Sequence, residues 1–317
     1  MSGHGMAGHV GLGKQTDYGT AVAAAAYVKA MSENLSESID RFEVENIYGG
    51  LHEPNDLDGV RRVAGDVTFS AHPETMGYFL QGALGRTVVT SVAAELAVSS
   101  FKPRTSDVSS MHPLDLYSFE VFRDVGSSQQ YADCQVSQLQ MELAPNQALR
   151  CTASIIGRSS TNIAATTPSF PSSSQNPFHH NSASLSVGGA AVDLIEGLTV
   201  TINNNLAGRP SLNNSNSVAR IKRDGPVEVR ISGNIGFENI TEYEAFRNQT
   251  ARSLTLNMFL ASSFSFLLDI PQMIYTAFPL GIGGREYQLI GFEGRANYLV
   301  SSATAIEATL TTVNSSW

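Results

Sequence analysis

The strongest constraint on how this chain folds is that parts of it are written twice. SENLSESID at residues 32–40 matches IEGLTVTIN at residues 195–203, with Glu33/Glu196, Leu35/Leu198 and Ile39/Ile202 sharing a single offset. RVAGDVTF at 62–69 is echoed at nearly the same distance by RISGNIGF at 230–237, and the small difference falls within the connection between blocks. A weaker third echo sets LRCTAS at 149–154 against IEATLT at 306–311, with apolar and polar positions in step. Collinear repeats in a chain of 317 residues, about twice the usual single-domain length, imply two modules of one design. Residues 159–174 are rich in Ser, Thr and Pro, the composition of a linker, and put the boundary near residue 165. Residues 1–165 are then a first module with an N-terminal arm and the start of the linker, and residues 166–317 a second module.

Within each copy the hydrophobic period is mostly two, the period of a half-buried strand. Val63, Val67 and Phe69 fall on one face with Gly65, while Ala64, Asp66, Thr68 and Ser70 fall on the other, and Ile231, Gly233, Ile235 and Phe237 repeat the pattern. Leu139, Met141 and Leu143 alternate likewise, as do Cys151, Ala153 and Ile155. One short helix follows the second repeated strand in each copy. Met76, Phe79, Leu80, Ala83 and Leu84 keep helical spacing between Pro73 and Gly85, and a shorter, more polar helix is predicted over residues 240–248. The expected class is α+β, mainly β, with two tandem sandwich- or barrel-like modules.

Composition narrows function by exclusion. With 29 acidic and 20 basic residues, a formal charge of −9 argues against a protein that grips nucleic acid by counterion release. Only 15% of residues are charged, and abundant Ser, Thr, Asn and Gly suit large β assemblies. Cys134 and Cys151 are expected on adjacent hairpin strands out of register with each other, as free buried thiols. The start of the chain lacks a signal-peptide pattern, and no membrane span is expected because residues 254–268 are interrupted by Asn257, Ser262, Ser263 and Ser265. The compartment expected is cytoplasm-like.

Several segments imitate catalytic motifs without their context. Gly3, Gly5 and Gly8 satisfy a dinucleotide fingerprint but follow no strand. Residues 8–14 fit the start of a P-loop, yet Gln15 stands where Ser or Thr would hold the metal. His179 and His180 lack further ligands at metal spacing and read as a surface turn. No nucleophile–base grouping can be assembled, so neither catalysis nor a cofactor is expected.

In order along the chain, KQTDYGTA at 14–21, SENLSESI, IYGG at 47–50, VAGDVTF and the GYFLQGALG helix at 77–85 resemble tail tube proteins of long-tailed bacteriophages, in a duplicated-module form. LTVTINNNL at 198–206 and VRISGNIGF at 229–237 are similar to the matching segments of that family. The resemblance implies sheets that join those of neighbouring subunits into a ring around a channel, with rings stacked into a tube. Single-module members of that family form hexamers, so the resemblance implies trimers with pseudo-six-fold symmetry for a chain with two modules. It further implies tape-measure, tail terminator and tail-tip or baseplate proteins as partners, passage of genomic DNA without specific binding, and a place in the virion tail after assembly in the host cytoplasm.

The face opposite the core on the repeated strands carries Ser36, Ser38, Asp40, Asp66, Thr68 and Ser70 in the first copy, and Thr199, Thr201, Asn203, Ser232, Asn234 and Glu238 in the second. All are polar and none is Lys or Arg, as suits a lumen that must pass a polyanion without holding it. For two long connections, residues 45–61 and 204–229, the resemblance to that family implies contacts between stacked rings. They contribute Tyr48, Gly49, Gly50, Leu51, His52, Pro54, Asp56 and Asp58, with Arg209 and Pro210 in the second. The alternative reading is a β-sandwich receptor- or carbohydrate-binding module of a virion, against which stands the scarcity of loop aromatics.

Overall fold

The computed structural model describes residues 4–44, 52, 55–92, 96–104, 112–171, 176–213, 215–261, 264–281, 287–313 and 317. The first half runs β1 (His9–Gln15), β2 (Ala26–Val28), β3 (Ala30–Glu33), β4 (Ser36–Phe42), β5 (Leu57–Ser70), α1 (Met76–Leu84), β6 (Gly85–Val92), β7 (Leu96–Pro103), β8 (Leu116–Phe122), β9 (Ser128–Leu143), β10 (Arg150–Gly157) and β11 (Ser159–Ile163). The second runs β12 (Ala183–Val187), β13 (Ala190–Ala191), β14 (Ile195–Asn203), β15 (Leu206–Arg209), β16 (Arg220–Arg223), β17 (Glu228–Gly236), α2 (Thr241–Arg247), β18 (Arg252–Ala261), β19 (Phe264–Ala277), β20 (Leu289–Ala296) and β21 (Glu307–Thr312). The fold is α+β and mainly β, as the alternation predicts.

The order of strand pairing recurs. In the first half β1 pairs with β2 and β8, β8 with β9, β9 with β10 and β11, β10 with β5, and β5 with β4, all antiparallel. In the second half β12 pairs with β13 and β18, β18 with β19, β19 with β20 and β21, β20 with β17, and β17 with β14, again all antiparallel. The two blocks of sequence similarity fall on β3–β4 with β14, and on β5 with β17. The third echo does not hold: residues 149–154 lead into and form part of β10, whereas residues 306–311 belong to β21, whose place matches β11. Alternation alone cannot separate two strands that are each half-buried, which is why that match misled.

The core is a set of rows across the sheet. Val67, Ala153, Leu139, Ile202 and Val229 lie side by side in register, and so do Phe69, Cys151, Met141, Val200 and Ile231, all buried. Each such side chain, moved from water to the interior, contributes about 1.5–3 kcal/mol. Rows passing unbroken from one half to the other mean that the halves share one core.

The halves differ in what surrounds the helices. α1 ends on Gly85 in the left-handed conformation and is buried along almost its whole length, with the Phe79 ring stacked on Phe69 at 4.2 Å. Trp317 closes over it: the indole N–H donates to Ser99 Oγ at 2.9 Å, and a Cβ at Gly77 would lie 2.5 Å from the ring. Helix α2 buries only Ala245 and is held by the Tyr275 hydroxyl donating to Glu242 at 2.8 Å. The β6–β7 hairpin, inserted after α1, has no counterpart after α2 and extends the other half by pairing β7 with β21.

One expectation about a loop is corrected. The Ser/Thr-rich stretch begins as a strand, β11, because its residues pair in register with β9, so the linker is shorter than composition suggests. It then re-enters the core at Phe178, whose backbone N–H donates to Ala71 and whose carbonyl accepts from Leu149. Cys134 on β9 and Cys151 on β10 are both free and buried, Cys151 standing opposite Met141. Burial pushes the Cys151 thiol up to about 12, so neither reactivity nor exchange is to be expected of it.

Candidate assembly surfaces

Opposite the core, the same sheet presents a polar face. One row reads Asp66, Ser154, Gln138, Asn203 and Glu228; the next Thr68, Thr152, Gln140, Thr201, Arg230 and Arg295; the third Ser70, Arg150, Glu142, Thr199, Ser232 and Glu293. Asn234 continues it opposite Gly291, and Ser36 and Ser38 lie opposite Ala64 and Arg62 on β4 and β5. Asp40 follows on β4 and pairs with Arg62. Glu238 lies past the end of β17 and outside the sheet. Eleven of the twelve positions singled out in the sequence therefore stand on strands β4, β5, β14 and β17, while the contributions of β9, β10 and β20 went unnoticed.

The face is not free of cations, contrary to the reading of its sequence. Arg62 and Arg230 stand on the same side of the two strands used to define it, joined by Arg150 and Arg295. Carboxylates offset three of them: Arg62 is bound to Asp40, Arg230 to Glu228 at 2.9 Å, and Arg150 lies opposite Glu142, whereas Arg295 stands opposite Arg230 and enters no ion pair among the described residues. The outcome is a nearly balanced surface of small polar side chains, on which no strong net field builds up.

The second feature is the joint between halves. β14 pairs antiparallel with the C-terminal part of β9, from Leu198 opposite Leu143 to Asn203 opposite Gln138. Just past this strand the buried Asn204 amide donates to the carbonyls of Ala83 at 2.8 Å and Val136 at 3.0 Å, and Arg223 donates to the Asn204 backbone and side-chain oxygens. Tyr18 adds a clasp, its hydroxyl donating to the carbonyls of Val218 at 3.1 Å and Ala219 at 2.8 Å. Its ring is stacked on His112 at 4.3 Å with the Arg158 guanidinium 5.0 Å from its centroid. Burial raises the Tyr18 pKa against the opposing pull of Arg158, and burial lowers that of His112, so both groups are held neutral. Arg158 in turn pairs with Asp133, which is fully buried and accepts from Gly19 N–H at 2.8 Å and Gln15 at 3.1 Å.

The joint uses one edge of β14 and one flank of β9, and each has a counterpart left open. Among the described residues, β4, which matches β14, pairs only with β5, and β19, which matches β9, has no partner beyond Met273 on the flank it shares with β18.

Of the connections expected to stack rings, the first is shorter than foreseen, because β5 begins at Leu57 and Asp58 is a strand residue opposite Arg41. His52 and Asp56 precede it; Tyr48, Gly49, Gly50, Leu51 and Pro54 lie outside the described residues. The second holds the β15–β16 hairpin, in which Arg209 closes β15, stands opposite Arg220 and pairs with Asp224, and Pro210 follows in an exposed turn. The hairpin escaped sequence reasoning because its alternation is only four residues long on each side.

Among the described residues no three His, Cys, Asp or Glu side chains converge on a point where a metal could sit, and no helix is long and apolar enough to cross a membrane. No curated protein matches the chain. The phage tail tube protein family matches residues 5–312, and with nearly the whole length accounted for, including both polar-faced halves of the sheet, the chain belongs to that family and is a structural component of a virion tail.

Proposed function

We propose that this chain builds the rings of the tube by repeating its own internal joint between molecules. The single observation that carries the reading is the β9–β14 pairing, which joins the two halves edge to edge while leaving β4 and the flank of β19 as the matching open pair. A β4 strand docked on the β19 flank of the next molecule would place first and second halves alternately around a circle. Three chains would then give six modules, a trimer with pseudo-six-fold symmetry. Unpaired strand edges are otherwise a liability that proteins cover or blunt, which supports an occupant for them.

In that arrangement the polar rows from Asp66 to Glu228 and from Ser70 to Glu293 face the lumen. Small polar side chains whose arginines and carboxylates nearly balance let a polyanion slide past, because little net positive charge is there to exchange counterions with it. Genomic DNA is the cargo, the chain itself is the principal partner, and tape-measure, terminator and tail-tip or baseplate proteins meet the tube inside and at its ends. The protein performs no catalysis, and the tube is assembled in the host cytoplasm.

Electron microscopy of the purified full chain tests this: hollow rings or tubes with three chains per ring are expected. Monodisperse monomers under a range of assembly conditions, or rings with a number of chains other than three, would overturn it. A receptor- or carbohydrate-binding module would instead stay monomeric and retain a glycan.

A further inference from the structure

The β15–β16 hairpin and the start of β14 stand at opposite ends of one strand, and each lacks what the other offers. β14 has nine residues, which at about 3.3 Å per residue separates its two ends by somewhat under 30 Å. At its far end the hairpin projects Leu212, the most exposed large apolar side chain among the described residues at 109% of its reference area. Below that tip Arg209 and Arg220 face each other across the strand pair. Like charges placed directly opposite on neighbouring strands destabilise a hairpin. Arg209 finds Asp224, but Arg220 enters no ion pair among the described residues.

At the near end lies a groove of about 330 Å³, between the β9–β10 turn and the strands β12 and β14, with Leu143, Pro145, Leu185 and Val192 among its lining. Asp193 and Glu196 stand on its rim, both exposed and neither in an ion pair among the described residues. An apolar tip flanked by arginines fits an apolar groove flanked by carboxylates.

Resting on the tube reading above, we propose that Leu212 of one molecule seats in this groove on the molecule stacked above or below it, with Arg220 meeting Glu196 and Asp193. The contact is heterologous, since tip and groove are different surfaces. Displaced along β14 it does not close on itself, and a contact that does not close propagates as a filament. The hairpin is thereby a ring-to-ring connector of stated partner and stated charge.

The test uses full-length protein. Leu212→Asp, at a fully exposed side chain, leaves folding and single rings intact but lowers the mass of long tubes at least tenfold by sedimentation. Arg220→Glu shortens tubes, and combining it with Glu196→Arg restores them. In assembled Leu212→Cys/Val192→Cys protein, oxidation yields a ladder of disulfide-joined chains, while either single variant yields none. Leu212→Asp tubes as long as those of the parent, or the absence of a ladder in the double variant, would overturn the docking and leave the tube reading in place. Parent protein that makes neither rings nor tubes would remove both.

Discussion

The two halves pair their strands in the same order yet bury their helices to opposite degrees, and the contrast separates a helix that the core requires from one that sits at its periphery. α1 lies under Trp317, against Phe69 and beside the inserted β6–β7 hairpin, so its removal would hollow the first half. α2 rests on the sheet through Tyr243, Phe246 and Phe278 with its outer side in water. The same order of strand pairing thus carries a structural helix in the first half and a peripheral one in the second.

The sharpest way to break that comparison is to truncate one ring in each helix. Phe79→Ala is expected to cost about 3–5 kcal/mol, because the ring is buried and its neighbours cannot collapse into the space. Phe246→Ala should cost well under half of that, as the side chain is only half-buried; equal losses in chemical denaturation would refute the distinction. Next in size, Asn204→Ala strips the donor from two buried carbonyls at the joint, at about 1–3 kcal/mol for each group left unpaired. Its signature is a loss of cooperativity between the halves, read as two separated unfolding transitions where the parent has one.

Tyr275→Phe removes the hydrogen bond to Glu242 that ties α2 to β19, with an expected cost of about 1 kcal/mol. Hydrogen exchange should quicken in α2 and leave α1 untouched. The smallest effect concerns pH. Burial lowers the His112 pKa in the folded protein, so the fold favours the neutral ring. Its contribution is complete above the unfolded value of about 6.5 and declines as pH falls below that value. His112→Gln should flatten the dependence of stability on pH between about 7 and 5, and a parent protein that gains stability on acidification over that window would contradict the assignment.

Much of the sheet was legible in the sequence because a buried face leaves a period of two, and Val63, Val67, Phe69, Ile231 and Ile235 announce it without knowledge of partners. Both helices were legible for a similar local reason, Gly85 marking the end of the first. The joint was not, since Leu143 opposite Leu198 is a pairing between distant segments that no periodicity encodes. Nor was β11, whose residues Ser159, Ser160, Thr161 and Asn162 look like a linker and become a strand only because β9 offers an edge. The polar face was half legible: the repeated strands named β4, β5, β14 and β17, but their arginines were passed over, and the rows through β9, β10 and β20 needed register to be found.

The pairing of β14 with β9 also bears on counting. In the proposed ring, each molecule would arrive with one contact of every two already made, at the effective concentration set by its own chain rather than by its abundance in solution. Such circles would grow by even steps, and covalent continuity would rule out a miscount by a single sheet module, the smallest closure error open to a one-module subunit. Half of the association entropy would then be settled while the polypeptide folds, before any neighbour is met.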